Sequence, residues 1–196
     1  MTPGAVRDLL DPGDPVQVDR YERDFYAAYA GLTDNRLVRR IWDFDDARQR
    51  VRARIPYRDQ IVYRWRTQST GEPDGYLAVN VNTGRAFQAT PFGFAPEPAD
   101  VTRCCEFLNL MTPTRTQQPA AVFGRLLRDF VAPDLIARGF TVAYATCTSR
   151  RLAPYLRLGT QHLGTTTLDG EDRHFLRLPL PGAKPPGQPS PRTASR

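Results

Sequence analysis

Residues 101 to 147 constrain this chain more than any other stretch, because they read as strand, helix, strand. VTRCCEFLNLM is a strand pattern. PAAVFGRLLRDFV carries Val122, Phe123, Leu126, Leu127 and Phe130 at helical spacing behind Pro119, and FTVAYATC returns to a buried strand. Strands joined through a helix cannot pair as a hairpin; the crossover sets them parallel in one sheet. Before this unit, YERDFYAAYAGL places Tyr21, Phe25, Tyr29 and Leu32 on one helical face. DNRLVRRIWDFDDARQRVRARIP predicts a second helix, with Leu37, Ile41 and Phe44 aligned and an end before Pro56. DQIVYRWRTQSTG, DGYLAVNVNTG and RAFQATPFGF then predict an antiparallel meander of three strands with Gly-containing turns. After the unit come a helix, SRRLAPYLRLG, and two strands, TQHLGTTTLDG and EDRHFLRLPL. The fold class is therefore α/β: a mixed, mostly antiparallel sheet flanked by helices, with a parallel strand pair in its centre.

The 196 residues, 40% of them hydrophobic, suffice for one core, assigned to residues 16–180. Residues 1–15 read as a flexible segment with one helical turn at Val6 to Leu10. The Pro-, Gly- and Ser-rich tail 181–196 reads as disordered. No apolar run reaches membrane-spanning length and the start lacks a signal-peptide pattern, so the expectation is a cytoplasmic protein without membrane contact. Three cysteines and two histidines do not compose a metal site.

Two short motifs carry a resemblance to the GNAT acyltransferase superfamily, covering about residues 18–180. YLRLG, Tyr155 to Gly159, resembles the family's tyrosine, two residues, leucine-like residue and glycine after the fifth strand. EFLNLMTP, Glu106 to Pro113, resembles its fourth strand ending near a proline. The resemblance implies a fold in which the central parallel pair is splayed, and transfer of an acyl group from a thioester to an amine. It also places an oxyanion-stabilising backbone near Leu110, Met111 and Thr112. The chain departs from the family in TRTQQPAAVFG, which lacks the paired glycines of a pyrophosphate loop, and in Thr148 and Thr160, where asparagine and an aromatic are usual.

Amine attack on a thioester needs a base, an oxyanion donor and a proton for the thiolate. Period two along residues 101–111 sets Cys104, Glu106, Leu108 and Leu110 on one face, so Glu106 is a carboxylate among apolar neighbours. It is read either as a base with a raised pKa or as the partner of a sheet-edge arginine. Tyr155 is read as the acid that meets the thiolate, or as a packed aromatic; Pro154 before it is anomalous inside a helix. Cys147 reads as a buried hydrophobe rather than a nucleophile. Tyr29, Trp42 and His174 are the candidate acceptor-binding residues, with plain core packing as the competing account.

The donor is acyl-phosphopantetheine on a carrier protein or acyl-CoA, a co-substrate rather than a bound cofactor. Arg115, Gln117, Gln118, Arg125, Arg150 and Arg151 are assigned to the donor. The glycine-poor loop and the cluster of arginines favour an acidic acyl carrier protein. The other partner is a small-molecule amine. Twenty-seven basic residues against 21 acidic ones allow nucleic acid as well, but Asp43, Asp45, Asp46 and Asp59 interrupt the basic run from Arg36 to Arg66 and argue against a phosphate-tracking stripe.

Overall fold

A computed structural model describes residues 6–32, 36–66, 73–112 and 120–182. In chain order these form β1 (Val6–Leu9), α1 (Pro15–Tyr29), β2 (Trp42–Asp45), β3 (Arg50–Ala53), β4 (Gln60–Arg66), β5 (Gly75–Asn80) and β6 (Cys104–Met111). α2 (Ala120–Leu126), α3 (Ala132–Ala137), β7 (Val142–Thr148), α4 (Ser149–Leu156), β8 (Gln161–Leu168) and β9 (Glu171–Pro179) complete the order. Seven strands make one sheet, β1-β4-β5-β6-β7-β9-β8, in which only β6 and β7 run parallel. The crossover through α2 and α3 imposes that pair, as its pattern predicts.

Each face of the sheet is covered. On one, α1 and the β2-β3 hairpin bury Tyr21, Phe25, Trp42, Val51, Tyr76 and Leu108. On the other, α2 and α3 bury Tyr63, Leu77, Val79, Phe107, Leu127 and Leu135. Asp14 starts α1 by accepting the N–H groups of Val16 and Gln17 at 2.9 and 3.2 Å, with Pro15 supplying a first helical φ. Between α2 and α3 the helix widens into a π turn over Leu127–Val131, next to Pro133, which has no N–H to give.

Four local readings are corrected. The second helix is instead a short 3₁₀ turn at Arg36–Arg40 and the β2-β3 hairpin. Trp42 and Phe44 pair with Ala53 and Val51 at period two, and Asp45 turns the chain by accepting the N–H of Arg48 at 3.0 Å. The third meander strand is absent from the described residues: 85–94 form turns with a 3₁₀ segment at Thr90–Phe92, because the N–H groups of Gln88 and Ala89 go to the carboxylate of Glu106 rather than to a ladder. Val6–Leu9 is an edge strand and not a helical turn, tied down by Asp8 to Arg64 at 2.9 Å and Arg66 at 2.6 Å. Residues 183–196 of the Pro-rich tail lie outside the described residues.

The fourth correction positions the site. In β6, Asn109 pairs with Ala78 and Phe107 with Val79, so Leu108 is an extra residue, a β-bulge. Leu108 and Asn109 both face α1, and the alternation inverts beyond them: Leu110 packs toward α2 and Met111 toward α1. Leu110 thus leaves the face it was expected to share with Glu106. Pairing of β6 with β7 covers only Cys104–Phe107 against Val142–Ala145, whereas β7 stays paired with β9 to Thr148. Past the bulge the two central strands part.

Candidate active site

A cavity of about 570 Å³ occupies the gap where β6 and β7 part. Leu108, Asn109, Leu110, Met111 and Thr112 form one side, and Ala145 to Thr148 the other. From the α1 face Tyr29, Val38, Ile41 and Trp42 close it; from the α2 face Trp65, Phe107, Phe123 and Leu158 do. The cavity therefore reaches both faces through the sheet. Its charged side chains among the described residues are arginines: Arg150, Arg151 and Arg157 around α4, and Arg173 on β9.

Helix α4 begins as β7 ends, and Gly159, at φ 86°, turns the chain off it with an N–H bond to the carbonyl of Leu156 at 3.0 Å. This brings Tyr155 and Leu158 into the cavity wall and leaves Leu156 outside. Pro154 sits inside this short helix. Burial raises the pKa of Tyr155, with Tyr29 and Cys147 adding to the rise and Arg151 opposing it. The phenol stays protonated through the physiological range. Burial likewise holds Cys147 as a thiol, pushed up to about 11.

Tyr29, at the end of α1, donates its hydroxyl to the carbonyl of Leu110 at 2.9 Å and packs edge-on against Trp42, ring centroids 4.8 Å apart. Burial raises its pKa to about 12, against the pull of Arg151 and Arg173. Trp42 presents its ring to the cavity while its Nε1–H donates to Gln88 at 2.8 Å; the Gln88 side chain also donates to the carbonyl of Leu108 at 3.0 Å.

Glu106 does not line the cavity. It is 2% exposed on the α1 face, accepting the backbone N–H of Gln88 and Ala89 at 2.8 and 2.9 Å and Nδ2 of Asn80 at 3.3 Å. Burial pushes its pKa up to about 7, with those three donors pulling it down. The rise through burial is what the first reading of the sequence expects; the second, a sheet-edge arginine as partner, is corrected. The carboxylate meets a turn rather than an arginine, and through Gln88 it holds Trp42.

The remaining assignments divide. Leu110, Met111, Thr112, Arg150 and Arg151 line the cavity, as do Tyr29 and Trp42. Arg125 is exposed on α2 away from it, and Arg115, Gln117 and Gln118 lie outside the described residues. His174 is off the cavity too. It shares hydrogen bonds with Ser149 at 2.9 Å and Thr165 at 2.9 Å and contacts His162 at 3.2 Å, and burial lowers its pKa. Asn109, Trp65 and Arg173 are cavity residues that sequence reading passes over. The available signal was a polar residue inside a strand pattern, clearest for Arg173 two places before Phe175. Among the described residues no cluster of His, Cys, Asp or Glu can hold a metal, and no helix is long and apolar enough to cross a membrane.

No protein-family model and no curated protein matches the sequence. Solved structures do match in three dimensions. The ribosomal-protein-S18-alanine N-acetyltransferase of Escherichia coli superposes with TM-score 0.57 at 12% identity, over 95% of this chain and 99% of that one. The AHL synthase LasI gives 0.63 at 10%, over 90% of each chain. The CoA-dependent acyl-homoserine lactone synthase MesI gives 0.57 at 13%, over 83% and 80%. The chain has the GNAT acyltransferase fold, with its mostly antiparallel sheet and central parallel pair.

Proposed function

We propose that this protein is a GNAT-type N-acyltransferase that moves an acyl group from a phosphopantetheine thioester to a small-molecule amine. The observation that carries the reading is the through-sheet cavity at the β6-β7 gap, which offers thioester and amine separate approaches from opposite faces and is lined by Tyr155. The amine nitrogen attacks the thioester carbonyl, a C–N bond forms and the C–S bond breaks. Tyr155 gives its proton to the departing sulfur, and the proton that the attacking nitrogen sheds as the amide forms returns through water to restore the phenol. The backbone around Leu110, freed from β7, is the proposed oxyanion donor.

With arginine the charged side chain of the cavity, an ammonium entering it is disfavoured and the amine reaches the carbonyl neutral. Glu106, off the cavity, reaches that proton only through water; its bonds support better a positioning role for the Gln88 turn and Trp42.

For the donor, Arg150, Arg151 and Arg157 at the α4 side suit an acidic carrier protein. The alternative is acyl-CoA, whose phosphates the same arginines can hold; MesI is itself described as CoA-dependent. Nucleic acid finds no support on the basic run 36–66, where Arg39, Arg48, Arg54, Arg64 and Arg66 each pair with an aspartate. The test is intact-mass detection of acylated amines, with acyl carrier proteins and acyl-CoAs offered in parallel against amine pools. Absence of product from either donor class refutes acyl transfer.

A further inference from the structure

We infer that Asn109, through its side-chain oxygen, holds the attacking nitrogen by one N–H from binding to product. The inference rests on the acyl-transfer reading and adds to it a residue that touches the reacting atom.

The bulge at Leu108 sets Asn109 in the cavity wall, on the α1 face and just past the point where β6 leaves β7. The residue is 5% exposed. Its Nδ2 donates to the Tyr21 hydroxyl at 2.8 Å, and its Oδ1 is buried without a protein partner. Tyr21 is itself locked in place, 1% exposed, with the ring centroids of Phe25, Tyr57 and Tyr76 at 5.8, 6.3 and 5.3 Å. That anchor holds the amide by its nitrogen and leaves the oxygen over. A buried acceptor without a donor is unfavourable, and a ligand that brings an N–H removes the penalty.

The acceptors on either side of Asn109 are in use. The carbonyl of Leu108 takes the Gln88 side chain at 3.0 Å and that of Leu110 takes the Tyr29 hydroxyl at 2.9 Å. An N–H that reaches this stretch from the α1 side finds Oδ1 of Asn109. The oxygen is uncharged, so it holds a neutral amine without favouring the ammonium as a carboxylate would. A primary amine gives one N–H to Oδ1 and keeps its lone pair for the thioester carbonyl. As the C–N bond forms, the nitrogen gains positive charge and the N–H···O bond strengthens, so the contact acts on the transition state more than on binding. The other N–H proton is shed through water, and the amide product keeps the first on Oδ1. A secondary amine has a single N–H for both purposes.

The test sets butylamine, phenethylamine and each amine found to be acylated against its N-methyl derivative in the acyl-transfer assay. The expected result is a preference of about tenfold or more in kcat for the primary amine, the range of a charge-assisted hydrogen bond. Asn109→Leu, or Asn109→Ala should the first not fold, should lower kcat for the primary amine by about ten- to a hundredfold with a smaller change in KM, and erase the preference. Tyr21→Phe, which removes the same internal hydrogen bond but leaves Oδ1 in the wall, should lose no more than about threefold in kcat. An undiminished preference in the Asn109 variant, or an equal kcat loss in Tyr21→Phe, overturns the inference and leaves acyl transfer standing. Should no donor support transfer, that reading falls by itself, and titration calorimetry with N-butylhexanamide and butyl hexanoate still decides, because the ester keeps the shape and lacks the N–H. Asn109→Leu should weaken binding of the amide by about tenfold and leave that of the ester unchanged. An equal effect on both, or no binding of the amide to the wild-type protein, overturns it.

Discussion

The hydroxyl of Tyr29 donates to the carbonyl of Leu110 at 2.9 Å, tying the last turn of α1 to β6 just past its bulge. This bond joins residues 81 apart in sequence and fixes one lip of the gap. Tyr29→Phe should keep the ring packing and leave the carbonyl without that donor. The expected cost is about 1 kcal/mol in denaturant unfolding, with a severalfold rise in acceptor KM. An unchanged KM would reduce Tyr29 to packing.

Tyr155→Phe should lower turnover by about a hundredfold without shifting the melting temperature, since the ring and its contacts persist. Because burial raises the phenol pKa, the wild-type rate should not decline with rising pH through about 9 on account of Tyr155. Full activity in the Phe variant would remove the acid from the mechanism.

Glu106 makes a claim about pH. Its folded pKa of about 7 stands above the ordinary 4.5 of the unfolded chain. Between these values the folded state holds a proton the unfolded state has released, so stability is greatest below about 4.5 and falls as pH rises to about 7. The shift corresponds to about 3 kcal/mol. Glu106→Gln does not titrate, so its melting deficit against wild type should shrink from pH 5 to pH 8. Its loss of turnover, if it acts by holding Gln88 and Trp42, should be the same factor at pH 7 and 9; a loss that vanishes at high pH would make it the base.

Arg150→Glu and Arg157→Glu should each weaken use of an acyl carrier protein by about tenfold at low salt, with the penalty screened as salt rises. A small pantetheine thioester should be used as before. Arg151→Glu should harm both donors, because its charge acts on Tyr29 and Tyr155. Arg125→Glu, off the cavity, serves as the control. Equal harm to acyl-CoA use from the first two reversals would assign those arginines to nucleotide phosphates.

Gly75 sits on β5 with no room for a side chain: a Cβ there would lie 2.0 Å from the Trp65 ring. Gly75→Ala should therefore turn the indole out of the cavity wall at a cost of about 1–3 kcal/mol. A tryptophan emission shift and a changed acyl-chain preference would report it.

Sequence patterning alone determined those parts of the protein whose structure depends on near neighbours. The helical repeat of Tyr21, Phe25 and Tyr29 made α1, the apolar strands around PAAVFGRLLRDFV made a parallel pair through a crossover, and YLRLG placed a glycine where the helix before it must end. Trp42 and Phe44 misled because WDFDDARQRVRA satisfies helical and strand spacing alike, and only burial under α1 selects the hairpin. The site itself belongs to tertiary structure. One extra residue at Leu108 inverts the faces of Leu110 and Met111 and parts β6 from β7, a register event that no local pattern encodes. Glu106 lost its place in the cavity to two N–H groups 17 and 18 residues upstream, and Arg173 gained one through the pairing of β9 with β7. Such placements arise from contacts between distant segments, where burial and hydrogen bonding are settled together and spacing along the chain carries no trace of them.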